Sequence, residues 1–289
     1  MIKRIRYLLP LVLTGLLVGG ALAVPAAAQP DTPLLVDIRA ASHETYDRLV
    51  FEFSGPLPAE YGVTSVPEVI GDASGEPVPL VGNAFLAVRF AMATGHDDSG
   101  TITYGPPRRA YPLPDIIEVA NAGDFEGVLS FGVGLAAQTP FRVFTLTSPS
   151  RVVIDLETPF RTVPVQDYFI QNGTLLPQAV SRPVIPPAVA RGALQRLFAG
   201  PTQAELAAGL HFVGSDATGF TGLSIVDGVA RVQLTGGCNS HGATTTIATE
   251  IMPTLKQFPS VQWVKIYDPS GQTEEPAGNS DSIPFCLEP

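Results

Sequence analysis

Short runs of alternating apolar and polar residues dominate the chain between Leu34 and Leu156. In the run DRLVFEFSG, Leu49, Phe51 and Phe53 fall on one face of an extended segment, and the residues between them fall on the other. Comparable runs follow between clusters of Gly, Pro, Asp and Asn, namely NAFLAVRFAMA, DIIEVANAG, GVLSFGVGL, FRVFTLTSP and SRVVIDLET. Repeated short strands at this spacing predict an antiparallel β-sandwich.

Helical periodicity appears after residue 166. The segment PAVARGALQRLFAGP has apolar residues at helical spacing, which are Val189, Ala193, Leu194, Leu197 and Phe198. Thr202 and Glu205 have the spacing of a capping box, which predicts a short second helix directly after the first. A further helix is expected in TTIATEIMPTLKQF, where Pro253 removes one backbone hydrogen bond.

The remaining runs of the second half predict strands. QDYFIQNG reads as a strand that ends in a turn, LSIVDGVARVQL as a hairpin with Asp227 and Gly228 at its tip, and VQWVKIYDPSG as a last strand. The order β-α-β-β-α-β predicts an α+β domain with its helices on one face of a small sheet. The segment TPFRTVPVQ at 158–166 has two prolines and no core pattern, so we expect a linker between domains at 33–157 and 167–289.

The first 28 residues have the layout of an export signal. Three basic residues precede an apolar stretch that extends to about Val24, and Ala26-Ala27-Ala28 provides small residues for cleavage. The alternative is a permanent membrane anchor, because the apolar stretch approaches the span of a bilayer. Cleavage predicts a secreted, extracytoplasmic protein.

The charge balance narrows the choice of partners. The net charge of −10 becomes −13 without residues 1–28, because that segment contains three basic residues and no acidic one. An acidic exported protein is repelled by nucleic acid and by anionic lipid. We therefore exclude nucleic acid as a partner, and we expect membrane association only if the N-terminal segment is retained.

The chain has two cysteines, Cys238 and Cys286. Disulfides persist outside the cytoplasm, so we expect one bridge, which closes a loop of about 48 residues and contributes ~4 kcal/mol in the chain-entropy model. Cys238 also precedes His241 by three positions. A thiol beside an imidazole is alternatively a nucleophile with its base, or part of a metal site that needs two more ligands.

Three polar clusters resemble parts of catalytic or metal sites. Two contain a histidine, His96-Asp97-Asp98 and His43-Glu44, and the third is the carboxylate pair Asp124 and Glu126. We interpret the two histidine clusters as surface loops, because their acidic residues lack the spacing of a calcium loop, and the carboxylate pair as part of a turn, because glycines flank it. The sequence contains no nucleophile elbow, zinc-protease motif or phosphate-binding loop, so no catalytic residue, metal ligand or cofactor is predicted.

Arg48, Arg142 and Arg151 are the candidate ligand-binding residues. Each lies in or beside a predicted strand of the first half. Arginines on one sheet face bind sugar hydroxyls or peptide carboxylates through forked hydrogen bonds. The simpler interpretation is that they pair with acidic residues of the same domain, such as Asp47, Asp124, Glu126 and Asp155.

Both halves of the chain carry segments of known families. YFIQNG (168–173), ALQRLFAGPTQAELAAGL (193–210), VDGVARVQL (226–234) and TLKQFPSVQWVKIYDPSG (254–271) resemble the GerMN domain of sporulation and spore germination proteins. YDRLVFEFSG (46–55), GDFEGVLSFGVGL (123–135), PFRVFTL (140–146) and PSRVVIDL (149–156) are similar to the AMIN-like domain.

The resemblances imply a role at the bacterial cell envelope. AMIN-type domains are associated with peptidoglycan or envelope targeting, and GerMN resembles modules that assemble side by side in membrane complexes. Neither resemblance implies a catalytic residue. We expect a non-catalytic secreted protein that binds wall glycan or envelope proteins and is able to form homo-oligomers. The alternatives are a scaffold module without glycan binding and a cell-wall hydrolase.

Overall fold

The computed structural model describes residues 32–289. The predicted export segment at 1–28 lies outside the described residues. Within 32–289, every helix is too short or too polar to traverse a bilayer. Two domains follow one another in this part of the chain, and each has a hydrophobic core of its own.

The first domain is a sandwich of two antiparallel sheets, as the alternating pattern predicts. The strand orders are β1-β2-β9-β8 and β3-β4-β7-β6-β5. The strands are β1 (Leu34–Ser42), β2 (Tyr46–Ser54), β3 (Glu60–Val66), β4 (Ala84–Ala91), β5 (Arg108–Ala110), β6 (Ile116–Phe125), β7 (Val128–Leu135), β8 (Phe141–Leu146) and β9 (Ser150–Glu157).

The inward positions of β2 hold the two sheets together. Leu49, Phe51 and Phe53 are almost completely buried, which confirms the face that the alternation assigns to them. The ring of Phe51 lies 5.0 Å from that of Phe90 and 5.2 Å from that of Phe131, both on the opposite sheet. Burial of such aromatic side chains dominates the energetics of a core.

The second domain combines helices with two three-stranded sheets, as the mixed pattern predicts. The sheet orders are β11-β10-β12 and β13-β14-β15, and only the β14–β15 pair is parallel among the described strands. The elements are β10 (Val163–Gln171), β11 (Pro177–Val184), α1 (Val189–Ala199), α2 (Gln203–Ala207), β12 (Leu210–His211), β13 (Ala217–Val226), β14 (Val229–Gly236), α3 (Ile247–Lys256), β15 (Trp263–Tyr267) and a final 3₁₀ turn (Phe285–Leu287).

The capping box, the helix proline and the hairpin turn of this domain lie where the sequence predicts them. The Thr202 side chain accepts from the Glu205 amide at 3.3 Å, and the Thr202 amide donates to the Glu205 carboxylate at 2.8 Å, so the capping box begins α2. Pro253 lies inside α3. Asp227 and Gly228 have φ values of 49° and 78°, which is the left-handed backbone of a two-residue hairpin turn.

The segment between the domains differs from the expected linker at 158–166. Strand β10 begins at Val163, so only residues 158–162 lack regular structure. Pro164 is tolerated there because β10 pairs on that stretch with β11 alone, which leaves its other side without a ladder partner. Strand β11 was not expected from the sequence, since its run has a proline near each end and no alternation.

Arg196 of α1 joins the two domains. Its side chain is almost completely buried, and its guanidinium donates to the carbonyl oxygens of Pro114 at 3.0 Å and Tyr111 at 3.4 Å, both in the loop between β5 and β6. The neighbouring Gln195 donates its amide to Asn83 Oδ1 at 2.9 Å. Burial lowers the pKa of Arg196 to about 10, so the side chain remains charged at neutral pH.

Two buried carboxylates hold the loop that receives Arg196. Asp47 Oδ2 accepts from the backbone amides of Asp115 at 2.7 Å and Ile116 at 3.2 Å. Asp115 in turn accepts from the Ala137 amide at 2.9 Å. The carbonyl groups that face Arg196 are therefore fixed by the first domain itself.

We expect Arg196→Met to lower the free energy of unfolding by about 3 kcal/mol, because the two carbonyl acceptors at the domain contact lose their buried charged donor. Denaturant unfolding at pH 7 measures this change. Arg89→Met is the control, because Arg89 is exposed on β4 and the change is expected to cost less than about 0.5 kcal/mol. Equal effects of the two substitutions would contradict the role assigned to Arg196.

Glu250 is a buried carboxyl group in the core of the second domain. It lies on α3 with no exposed surface, and both carboxylate oxygens are 3.1 Å from the Val213 amide. No basic side chain within residues 32–289 forms an ion pair with it. Burial raises the pKa of Glu250 to about 9. The folded protein therefore holds a proton there that the unfolded chain has lost above about pH 4.3.

The raised pKa of Glu250 makes stability depend on pH. Its contribution is complete below about pH 4.3 and is lost as the pH rises toward 9, with a slope of at most ~1.4 kcal/mol per pH unit. We expect Glu250→Gln to make the decline of the unfolding free energy between pH 5 and pH 9 shallower than in the wild type. Unfolding curves at pH 5, 7 and 9 test this, and parallel declines in both proteins would refute it.

Candidate ligand-binding site

The outward surface of the sheet β1-β2-β9-β8 carries all three arginines that the sequence selects. Asp155 of β9 is in register with Arg48 of β2 and with Arg142 of β8, while Arg151 is in register with Glu52. Residues two apart along a strand share a face, so all these side chains lie on the same face. We call this surface the outer face, defined by Tyr46, Arg48, Arg142, Phe144, Arg151 and Asp155.

Asp155 brings two of the arginines together. Arg48 donates to it through two nitrogens at 2.6 and 2.9 Å, and Arg142 through two nitrogens at 3.0 and 2.8 Å. Burial opposes ionisation of this carboxyl, but the hydrogen bonds from Arg48 and Arg142 hold its pKa below the ordinary value. The pairing within the domain that the sequence offered as the simpler interpretation is therefore present at Arg48 and Arg142.

Aromatic rings lie beside the same two guanidinium groups. The Arg48 guanidinium carbon is 5.1 Å from the centre of the Tyr46 ring and 5.4 Å from that of Phe144, and the corresponding distance from Arg142 to Phe144 is 5.3 Å. At such distances a guanidinium group is attracted to the face of the ring. The arginines are thus oriented both by a carboxylate and by aromatic neighbours.

A cleft of about 630 Å³ opens at one end of the outer face. Arg142 borders it with a side chain that is 70% exposed, although two of its nitrogens contact Asp155. The residues that line this cleft are Thr45, Tyr46, Phe141, Arg142, Asp155, Glu157, Thr158 and Pro159.

Arg151 occupies a different part of the outer face. It lies in the cross-strand row of Glu52 and Leu146, and the row of Val50, Val153 and Phe144 separates it from Asp155. Its guanidinium donates to the Pro149 carbonyl at 3.3 Å. The structure therefore brings Arg48 and Arg142 together on Asp155, of which Arg142 and Asp155 line the cleft, and leaves Arg151 outside it.

The polar clusters of the first domain form local contacts. Asp97 accepts from the amides of Ser99 at 2.9 Å and Thr101 at 3.0 Å, which closes the loop in which it lies. Asp124 lies on β6, whereas Glu126 has a φ of 51° in the turn between β6 and β7, so the two carboxylates do not share a strand face. No group of three or more His, Cys, Asp or Glu side chains suited to a metal ion occurs within 32–289.

One pair in this region escaped the sequence analysis. His96 Nδ1 lies 2.6 Å from Asp124 Oδ2, and the Gly95 amide donates to the same oxygen at 3.0 Å. The two residues are 28 positions apart, and only the pairing of β6 with its neighbours brings them together. The other histidine of the first domain, His43, stacks on Tyr46 with ring centres 4.4 Å apart.

Cys238 and Cys286 form the expected disulfide, with Cα atoms 5.6 Å apart. No free thiol remains in the chain, so the interpretation of Cys238 and His241 as a nucleophile and its base is wrong. His241 Nε2 instead contacts the Asp216 carboxylate at 3.0 Å on the surface. The Ser240 amide donates to the Cys286 carbonyl at 2.7 Å, so the bridge and a hydrogen bond both hold the C-terminal tail.

Residues 33–158 match the model of the AMIN-like domain, and residues 162–268 match the model described as sporulation and spore germination, or Germane. The chain therefore contains an AMIN-like domain followed by a Germane (GerMN) domain, in the order that the sequence segments indicate. The two domains associate the protein with the cell envelope or with sporulation, and they are generally non-catalytic. No curated protein and no solved structure matches the chain significantly.

We expect the double substitution Cys238→Ala and Cys286→Ala to lower the free energy of unfolding by about 2–4 kcal/mol, because the unfolded chain loses its cross-link. Protease digestion is expected to remove residues after the last strand faster in the variant than in the wild type. Thiol titration of the unreduced wild type is the control, with no free thiol expected. Two reactive thiols there would restore Cys238 and His241 as a candidate site.

Proposed function

We propose that this is a secreted, non-catalytic protein of the bacterial cell envelope that binds wall glycan through the cleft of the outer face. The observation that carries the proposal is the pair of arginines held on Asp155 beside Tyr46 and Phe144. This combination provides charged hydrogen-bond donors, an acceptor and flat apolar surfaces in a single place.

Arg142 is the residue best placed to contact a ligand. Its Nε and one terminal nitrogen donate to Asp155. Within the described residues the other terminal nitrogen has no such bond to Asp155, so its hydrogens are able to donate to a ligand. Because Asp155 and Phe144 already orient the guanidinium, little conformational entropy is lost when a ligand binds. A forked group of this kind suits the hydroxyls of a sugar or the carboxylates of a peptide stem.

The lining of the cleft fits a polar ligand with apolar ring faces. Tyr46 and Phe141 offer aromatic surface, whereas Thr45, Thr158 and Glu157 offer groups that donate to or accept from hydroxyls. The volume of about 630 Å³ lies within the range of small-ligand sites, roughly 300–1,000 Å³. The acidic charge of the chain makes purely electrostatic adsorption to anionic wall polymers unfavourable, so binding depends on these specific contacts.

Cosedimentation with purified peptidoglycan at moderate salt tests the proposal. We expect the wild type to be retained and Arg142→Gln to weaken binding by about tenfold, which corresponds to the loss of one charge-assisted hydrogen bond. Arg89→Gln removes the same charge from the opposite sheet and is expected to bind like the wild type.

Two results would count against the proposal. If the wild type stays in the supernatant, wall glycan is not the ligand, and binding to envelope proteins becomes the better hypothesis. If Arg142→Gln and Arg89→Gln bind equally, the outer face does not form the glycan site. The folded state of each variant is checked by its unfolding curve, since Arg48 continues to pair with Asp155 when Arg142 is replaced.

A further inference from the structure

A second cleft, of about 250 Å³, lies between the two domains. The loop at 79–82 of the AMIN-like domain forms one side, and α1 with the hairpin of β13 and β14 forms the other. None of its lining residues is acidic, although the chain as a whole has a net charge of −10. The residues that line it are Pro79, Leu80, Val81, Gly82, Arg191, Gln195, Thr218, Gly219, Phe220 and Thr235.

Arg191 is the one charged residue among those lining residues. It is exposed in the first turn of α1, where no acidic side chain is present. Its guanidinium carbon lies 5.7 Å from the centre of the Phe220 ring. Within residues 32–289 it forms no ion pair, in contrast to Arg48, Arg142 and Arg182. A guanidinium that is oriented by an aromatic ring and has no carboxylate partner is suited to bind an anion.

The wall opposite Arg191 is rigidly held. The Val81 amide donates to the Glu118 carboxylate at 2.5 Å, and Arg108 donates to the Pro79 carbonyl at 2.6 Å. Arg108 and Glu118 also form an ion pair, in which Glu118 is almost completely buried. The loop at 79–82 is therefore fixed before any ligand arrives, which favours binding because ordering has no further cost.

A bulge in the β13–β14 hairpin brings a hydroxyl group to the same cleft. Ala217 pairs with Gly236 and Gly219 with Thr235, so Thr218 is an extra residue without a partner in the ladder. Bulges of this kind redirect a side chain and are common beside functional sites. Thr235 adds a second hydroxyl, and Gln195 donates through Nε2 to Asn83, so its Oε1 is the end suited to accept from a ligand.

We infer that the cleft between the two domains binds a small ligand that carries a carboxylate next to hydroxyl or amide groups, with Arg191 as the carboxylate-binding residue. Thr218, Thr235 and Gln195 contact the neutral polar groups, and Phe220 and Leu80 cover the apolar part of the ligand. The site shares no lining residue with the cleft of the outer face, so the two binding proposals stand or fall separately.

Backbone amide spectra of the ¹⁵N-labelled full chain test the inference with two matched pairs of probes. N-acetylmuramic acid is compared with N-acetylglucosamine, which lacks the lactyl carboxylate, and D-alanyl-D-alanine is compared with its C-terminal amide. We expect one carboxylate probe to shift the amides of residues 80–82 and 218–220 in a saturable way, and its neutral counterpart to have no such effect. The pair that responds identifies the source of the carboxylate as an amino sugar or a peptide.

Substitutions then assign the effect to Arg191. We expect Arg191→Gln to weaken binding of the active probe by about tenfold or more, Arg191→Lys to have an intermediate effect, and Arg89→Gln to have none. Arg142→Gln, in the outer face, is also expected to leave this binding unchanged. Because Arg191 is exposed and forms no ion pair within residues 32–289, its variants are expected to unfold like the wild type.

Three outcomes would overturn the inference. They are the absence of saturable shifts around the cleft with both carboxylate probes, equal shifts with a probe and its neutral counterpart, and undiminished binding to Arg191→Gln. If the wild type is not retained by peptidoglycan but still binds a carboxylate probe at the cleft between the domains, the outer-face proposal is refuted and the inference about Arg191 stands.

Discussion

The guanidinium of Arg196 is removed from water at the contact between the two domains, and its acceptors belong to the other domain. Desolvating such a group costs several kcal/mol unless hydrogen bonds compensate for it. Pro114 and Tyr111 provide the acceptors through their carbonyl groups, and Asp47 holds the loop that presents them. A docking geometry that misplaces the loop removes both carbonyl acceptors from the buried guanidinium, so the interaction favours one arrangement of the AMIN-like and Germane domains. The apolar contacts around it, among Ala110, Ile117 and Ala199, are small and non-directional.

This fixed arrangement has consequences for function. The cleft that contains Arg191 exists only when the domains are docked, because its two sides come from different domains. The six residues of the outer face, in contrast, all lie in the AMIN-like sandwich, and Thr158 and Pro159 of the connecting segment complete its cleft. The disulfide fastens the C-terminal tail to the loop between β14 and α3. The molecule therefore carries two clefts that share no lining residue.

Local rules of sequence account for much of this structure. Alternation identifies β2, β4, β6, β7, β8 and β9 because one face of each strand meets a core, and the capping box and hairpin turn depend only on neighbouring residues. The disulfide follows from the number of cysteines and the expected compartment. Such rules do not predict contacts between residues that are far apart in the sequence. Helical spacing assigns Gln195 and Arg196 to the polar side of α1, and only the docking of a second domain buries them.

The candidate sites, too, are only partly predictable from the sequence, because it shows the residue types but not which of them meet in the fold. The sequence selects Arg48 and Arg142, but their convergence on Asp155 depends on the register of three strands separated by up to 107 positions. The sequence also selects Arg151, which the same register places two cross-strand rows from Asp155. Nothing in the sequence distinguishes Arg191, because exposed arginines are common on helices. Its unpaired state and its position opposite the fixed loop at 79–82 appear only in three dimensions.

Differential scanning calorimetry of residues 32–289 shows whether the two domains unfold as one unit. We expect a single unfolding transition whose calorimetric and van't Hoff enthalpies agree, because docking makes each domain depend on the other. Two separate transitions, or a van't Hoff enthalpy well below the calorimetric one, would show that the domains unfold independently. That result would contradict the coupling assigned to Arg196 and, with it, the fixed cleft between the domains.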